Sequence, residues 1–353
     1  MLQSIYFQLN NFMAFYNLFS VRQAASFLQN LPLSINLLRT AKCNLNCRIC
    51  SAKDMLNIGN ELTTGEIISF IEKNAEYKPI FFIGGGEPFI RKDILEFARV
   101  FSRNKLKYGI VTNGTLLNPE IMGELFNNKL NVLIFSLHGN QLQHDKVTGK
   151  SGAYSLISNN IKFAAKNKKS TKIILNFVIN EENYLQLEQI IKFGKNQGVN
   201  QVRIEHLIFL TKNEYKQHLE VCRKLFPKNN TNLVIFKKDI NNLEIGDFLK
   251  KEIPRLKKKY KNFVLFKPHL SQAEIESWYC ENFQLNRKCF FVQHSVFVNP
   301  NGDIVPCQFL GNYKLGNIKE VELVDAWRNK ASQNIKKTLK QKILPGCNRC
   351  CKL

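Results

Sequence analysis

Strand and helix alternate six times in series between residues 34 and 226, and few folds accept that pattern. The run from Ser34 to Leu38 reads as a first strand, and Thr63 with Glu66 makes a capping box for the helix after it. Pro79 to Ile83 predicts a buried second strand, with a helix from about Asp93. Lys107 to Val111 is the third, and Asn118 caps a helix that has Pro119 at its first position. Asn131 to Leu137 and Lys172 to Ile179 are the fourth and fifth, the helix after the latter ending at Gly198, and Gln201 to Phe209 is the sixth. Such a series predicts an α/β fold, a parallel sheet curled by right-handed crossovers into a partial TIM barrel of (β/α)6 type. Chemistry in such a fold gathers at the C-terminal ends of the strands.

Beyond Phe226 the alternation fails. The expected organisation is a helical extension at 1–32, a core at 33–226, a basic and weakly structured linker at 227–275, and a small C-terminal α+β module at 276–353. The 51 Lys and Arg against 28 Asp and Glu give a net charge of +23, and 44% apolar residues exclude disorder as the main state. Lysine dominates that basic excess, whereas phosphate recognition favours arginine, so a nucleic-acid partner is not the preferred reading.

The ten cysteines lie at 43, 47, 50, 222, 280, 289, 307, 347, 350 and 351. Residues 1–21 carry no charged side chain and are interrupted by Gln8, Asn10, Asn11 and Asn17, which is not the pattern of a secretory signal. The expectation is a reducing cytoplasm, where clustered cysteines suggest metal rather than cross-links. Cys43, Cys47 and Cys50 directly follow the first strand. Three thiolates at this density suit zinc or an iron-sulfur cluster, and three ligands on a four-iron cluster leave one iron open.

This spacing, three residues and then two, resembles the signature of the radical S-adenosylmethionine (radical SAM) superfamily. The resemblance implies a 4Fe-4S cluster on Cys43, Cys47 and Cys50 whose open iron is chelated by S-adenosylmethionine. It implies reductive cleavage of that cofactor to a 5′-deoxyadenosyl radical, which abstracts hydrogen from a substrate carbon. Gly84-Gly85-Gly86-Glu87-Pro88 after the second strand is similar to the family's GGE motif, which implies cofactor contacts at Gly85, Gly86, Glu87 and Pro88. Ser136, and by position Asn176 and Arg203, are expected to meet the cofactor's ribose or carboxylate. His138 stands where relatives often carry Asp, and a neutral, satisfied histidine is the preferred reading. The turn from His144 to Gly149 is expected to fix loop geometry.

Cys289, Gly302 and Cys307 resemble the opening of the SPASM module, with Asn299 to Asp303 as a hairpin turn between two short strands. The cysteines after Cys347-Asn-Arg-Cys350 that a full module carries are missing, which implies a truncated, twitch-like module with one auxiliary 4Fe-4S cluster. Its expected ligands are Cys289, Cys307, Cys347 and Cys350, with Cys351 as the alternative to Cys350 and a zinc ribbon as the alternative to the cluster. Four ligands would leave it an electron-transfer role.

Cys222 is a candidate hydrogen-atom donor, although a lone helical cysteine is more often a small buried hydrophobe, as Cys280 is read to be. Residues 1–20 have near-helical apolar spacing; peripheral membrane contact is conceivable, and a helix covering the barrel is preferred. No room is expected before Cys43 for a leader-peptide-binding domain. The resemblance thus implies an oxidoreductase served by flavodoxin or ferredoxin, acting on a ribosomal peptide or protein. A sugar or aminoglycoside-type molecule is the alternative, and a zinc-stabilised nucleic-acid-binding protein is the alternative from another class.

Overall fold

The computed structural model describes residues 31–50, 60–233, 235, 243–280 and 283–353. Nearly all of the expected N-terminal extension, including the segment weighed for membrane contact, lies outside the described residues. Strands β1 (Ser34–Thr40), β2 (Ile80–Gly85), β3 (Lys107–Thr112), β4 (Val132–Ser136), β5 (Lys172–Ile179) and β6 (Gln201–His206) pair in parallel in sequence order. Between them run α1 (Thr64–Lys73), α2 (Ile94–Arg103), α3 (Pro119–Asn127), α4 (Gln141–Thr148) with α5 (Ala153–Asn167), and α6 (Leu187–Gln197). Helix α7 (Lys212–Leu225) follows β6, which ends three residues before the expected strand end at Phe209.

Local chemistry sets these boundaries. Thr63 accepts from the Glu66 backbone while the Glu66 carboxylate accepts from that of Thr63, closing the capping box. Asn118 caps α3 through the Ile121 N–H, and Gly198 ends α6 at φ 75°, where a side chain would be strained. Ile80, Phe81 and Ile83 on β2, and Leu133, Ile134 and Phe135 on β4, are buried on successive positions. Strands covered on both faces read as continuous apolar runs, and these do.

Residues 227–275 depart from the weakly structured linker expected of them. They contain α8 (Leu243–Tyr260), β7 (Val264–Lys267) and α9 (Gln272–Trp278). Lysine density hid an amphipathic helix whose Ile245, Leu249, Ile253 and Leu256 are buried at helical spacing. Arg255 and Lys259 on its outer side pair with Glu188 of α6, so part of the basic excess is answered within the fold. Strand β7 then extends the parallel sheet, with Glu205 opposite Lys267.

The C-terminal module joins the same sheet. Strand β8 (Ser295–Val298) pairs in parallel with β1, where Ser34 and Ser295 share a hydrogen bond of 2.6 Å. The hairpin to β9 (Asp303–Val305) turns through Gly302 at φ 93°, and β10 (Gly316–Asn317) closes the edge before α10 (Leu323–Arg328) and α11 (Lys330–Gln341). The sheet runs β10-β9-β8-β1-β2-β3-β4-β5-β6-β7. It is curled, because Leu38 of β1, Phe82 of β2, Ile134 of β4, Lys267 of β7 and Phe297 of β8 line one cavity of about 110 Å³. The result is a partial barrel whose seam between β7 and β8 is covered by Gln308, Cys351 and Lys352 of the module. No helix among the described residues is long and apolar enough to cross a membrane.

Candidate functional site

The loop after β1 carries Cys43, exposed, and Cys47 and Cys50, half-buried, and none of the three is in a disulfide. Its path is fixed by backbone bonds to the end of α4: Asn46 N–H to Thr148 O at 3.0 Å, and Arg48 N–H to Val147 O at 2.8 Å. Gly149, at φ 68°, lets the α4 turn approach Asn46. Asn44 and Asn113 join at 2.9 Å, Asn44 reaches Thr115 at 2.8 Å, and the Asn113 amide lies 3.9 Å from the Cys43 sulfur. At the base of the loop the Glu61 carboxylate accepts from Thr40 Oγ1 and Ala41 N–H, and Arg91 bridges Glu61 and Asp93. Sequence reasoning missed Glu61, Arg91 and Asn44; Asn44 sits between Cys43 and Cys47 with nothing local to mark its role, and only the folded chain brings Glu61 and Arg91 to the loop.

The glycine-rich strand end has two separate uses. A Cβ on Gly86 would sit 2.0 Å from the Lys42 carbonyl oxygen, so glycine there lets β2 pack against the cysteine loop. Gly85 adopts φ 117°, a conformation that side chains resist. Gly84 has open space where a Cβ would be and lines the barrel cavity. Glu87 is not an exposed negative contact. It is fully buried, accepting from Thr112 Oγ1 at 2.8 Å, Asn113 N–H at 2.7 Å and Phe89 N–H at 3.1 Å, and burial pushes its carboxyl up to about 7. It latches the ends of β2 and β3 together, and Pro88 starts a buried turn behind it.

Ser136, Asn176 and Arg203 fall in one register row across β4, β5 and β6. Arg203 donates to Asn176 Oδ1 at 2.7 Å, pairs with Glu205 at 3.0 Å, and reaches the cavity. His138 is buried and held neutral, its pKa pushed down to about 3 by burial and by neighbouring His144, and its Nδ1 accepts from the Val178 N–H. Asp145 accepts from Gly152 and Tyr154 N–H groups, so the His144–Gly149 turn organises the loop into α5.

The second cysteine group converges. Cys289, Cys307, Cys347 and Cys350 line one small apolar-walled cavity beneath Phe291, Val292 and Leu339. Burial pushes Cys307 up to about 12 and Cys347 well above its ordinary value. Four thiols buried where their anions are disfavoured fit a site completed by a cationic metal core. Among the described residues no three His, Cys, Asp or Glu side chains converge closely enough for a single metal ion. Arg349, inside the cysteine run, is fully buried: it pairs with Glu214 of α7, donates to Trp278 O at 2.7 Å, and stacks 4.3 Å from the Phe209 ring centroid. Cys351 lines the barrel cavity, with its thiol in hydrogen-bond contact with that of Cys350.

Cys222 lines neither cavity. It is buried on α7 with its sulfur 3.5 Å from His218 Nε2, and burial raises its pKa to about 11. That placement gives the hydrogen-donor expectation no support. Cys280 is half-buried, its sulfur 3.5 Å from the Glu276 carbonyl.

A model described as the Radical SAM superfamily matches residues 37–194, and a SPASM model, described as an iron-sulfur cluster-binding domain, matches residues 289–351. The chain is 33% identical over 174 residues to the AdoMet-dependent heme synthase of Methanosarcina barkeri, a match over 48% of this chain and about half, 49%, of that protein. Over 335 residues it is 24% identical to the tungsten-containing aldehyde ferredoxin oxidoreductase cofactor-modifying protein of Pyrococcus furiosus, covering 88% of this chain and 85% of that one. The fold matches the crystal structure of Streptococcus suis SuiB bound to precursor peptide SuiA, with a TM-score of 0.63 at 16% identity over 94% of this chain and 73% of SuiB.

Proposed function

Because the chain belongs to the radical SAM superfamily and carries a SPASM iron-sulfur domain, we propose that it removes a hydrogen atom from a carbon of a peptide or protein substrate held in the barrel. The superfamily's cofactors are a 4Fe-4S cluster and S-adenosylmethionine, and the SPASM domain binds auxiliary iron-sulfur clusters. Cys43, Cys47 and Cys50 would hold the first cluster, and Cys289, Cys307, Cys347 and Cys350 the auxiliary one. When bound, the first cluster and S-adenosylmethionine supply the 5′-deoxyadenosyl radical that takes the hydrogen.

The protein's part is position and exclusion of water. Gly84 leaves room beside the end of β2, and Gly86 brings that end against the cysteine loop. Ser136, Asn176 and Arg203 supply a polar row for the ribose or carboxylate of the cofactor. Leu38, Phe82, Ile134 and Phe297 keep the cavity walls apolar around the reacting carbon.

The observation that carries the oxidoreductase reading is the adjacency of the two cavities. Cys350 lies on one and Cys351 on the other, so a single peptide bond joins the auxiliary site to the wall of the reaction chamber. A cluster held by Cys289, Cys307, Cys347 and Cys350 would supply electron transfer close to that wall. A peptide substrate is supported by SuiB, of like fold, which was crystallised with a precursor peptide. Flavodoxin or ferredoxin would deliver the electrons.

Anaerobic reconstitution should yield a brown protein with about eight irons, two four-iron clusters. Chemical reduction should then release 5′-deoxyadenosine, and its absence from fully reconstituted protein overturns the reading.

A further inference from the structure

The wall that closes the barrel seam is cationic. Lys267, the last residue of β7, and Lys352, from the tail, line the cavity together with Arg203 of β6, and the acidic side chain among the lining residues is Glu205. Glu205 is already paired with Arg203 at 3.0 Å and stands opposite Lys267 in the β6–β7 register. Three cations and one carboxylate thus share the lining of one cavity, where like charges repel. Burial first, then Arg203 and Lys352, pushes the Lys267 ammonium down to about 8. An anion placed here gains from all three charges and relieves their repulsion.

We propose that the seam wall is a subsite for a carboxylate carried by the substrate, with Lys267 as its main partner and Arg203 and Lys352 completing the face. This rests on the proposed function, in which the substrate enters the barrel, and deepens it: the substrate presents an acidic group near the carbon that reacts. In a peptide that group is an Asp or Glu side chain or a terminal carboxylate. The same face could instead take the methionine carboxylate of S-adenosylmethionine, so the test separates the two sources.

The test is lysine acetylation of the reconstituted full-length protein, read at Lys267 by mass spectrometry and normalised to the exposed Lys337. It is run at fixed ionic strength without ligand, with S-adenosylmethionine, and with S-adenosylmethionine plus glutarate or the neutral glutaramide. A bound carboxylate that raises the Lys267 pKa by one unit cuts its reactive free amine about tenfold. Glutarate added over S-adenosylmethionine should slow Lys267 about tenfold, with glutaramide without effect. Glutarate should also slow iodoacetamide alkylation of Cys351, and Lys267→Gln should abolish that protection. Full protection by S-adenosylmethionine alone assigns the face to the cofactor and overturns the proposal. Equal effects of glutarate and glutaramide, no effect of either, or a Lys267 unreactive in every condition also overturn it. None of these readings depends on release of 5′-deoxyadenosine, so failure here is distinguishable from failure of the radical reading.

Discussion

Cys350 and Cys351 are neighbours in the chain and face different cavities. Cys350 sits with Cys289, Cys307 and Cys347, while Cys351 opens into the barrel beside Arg203 and Lys267. The Cys350 N–H bonds to the Cys347 carbonyl at 3.2 Å, a tight turn that sets residues 347 and 350 together, and the Cys351 thiol contacts that of Cys350 from the barrel side. The two cysteines should therefore have separable phenotypes. Cys350→Ala should lose about four of about eight irons on reconstitution, and Cys351→Ala should keep them all, as measured by iron analysis. The opposite pattern would make Cys351 the ligand.

Arg349 anchors that turn to the core. Its guanidinium is fully buried between Glu214, two backbone carbonyls and Phe209. Arg349→Ala leaves Glu214 buried without its cation, a change that costs about 3–5 kcal/mol. Arg349→Lys should rescue only part of this, since an ammonium cannot reproduce the planar fork. Chemical unfolding measures the loss, and auxiliary iron content should fall in parallel.

Gly84 and Gly86 should respond oppositely to alanine. At Gly86 the new methyl would meet the Lys42 backbone, so the strand end or the cysteine loop must shift, at about 1–3 kcal/mol. At Gly84 the methyl enters open space in the cavity, and stability should change by less than about 0.5 kcal/mol. Gly84→Ala should nevertheless weaken S-adenosylmethionine binding, measured by equilibrium dialysis, because it fills the cradle without disturbing the fold.

Acid should destabilise the protein through His138. Burial holds its folded pKa at about 3, below the ordinary histidine value of about 6.5. The unfolded chain therefore binds more protons between those values. The stability that neutral His138 contributes is complete above about pH 6.5 and is lost as pH falls toward 3, by up to about 1.4 kcal/mol per unit. His138→Asn, which keeps an acceptor for the Val178 N–H, should flatten the pH dependence of the unfolding free energy. An unchanged slope would show that His138 is not held neutral.

Much of the fold was legible because its signals are local. The capping box at Thr63, the Asn118-Pro119 helix start and the Gly198 stop each depend on a few consecutive residues, and each forms as read. Helix α8 and β7 were missed because lysine lowers mean hydropathy while Ile245, Leu249, Ile253 and Leu256 still make one apolar stripe. Glu87 was legible as part of its motif, but its hydrogen-bond partners were not. Its partners Thr112 and Asn113 lie 25 and 26 residues away, where no spacing rule reaches.

The sequence by itself determined the parallel α/β core, the family, and the two cysteine groups, since periodicity and ligand spacing are properties of neighbouring residues. Tertiary structure alone decided that β8 pairs with β1, that the module's tail seals the seam beside β7, and that Cys351 and three cations share the cavity there. Those contacts join residues far apart in the chain, Ser34 with Ser295 and Lys267 with Cys351 among them. Curling of the sheet brings them together, and at Cys350 and Cys351 the cysteine site and the barrel cavity meet.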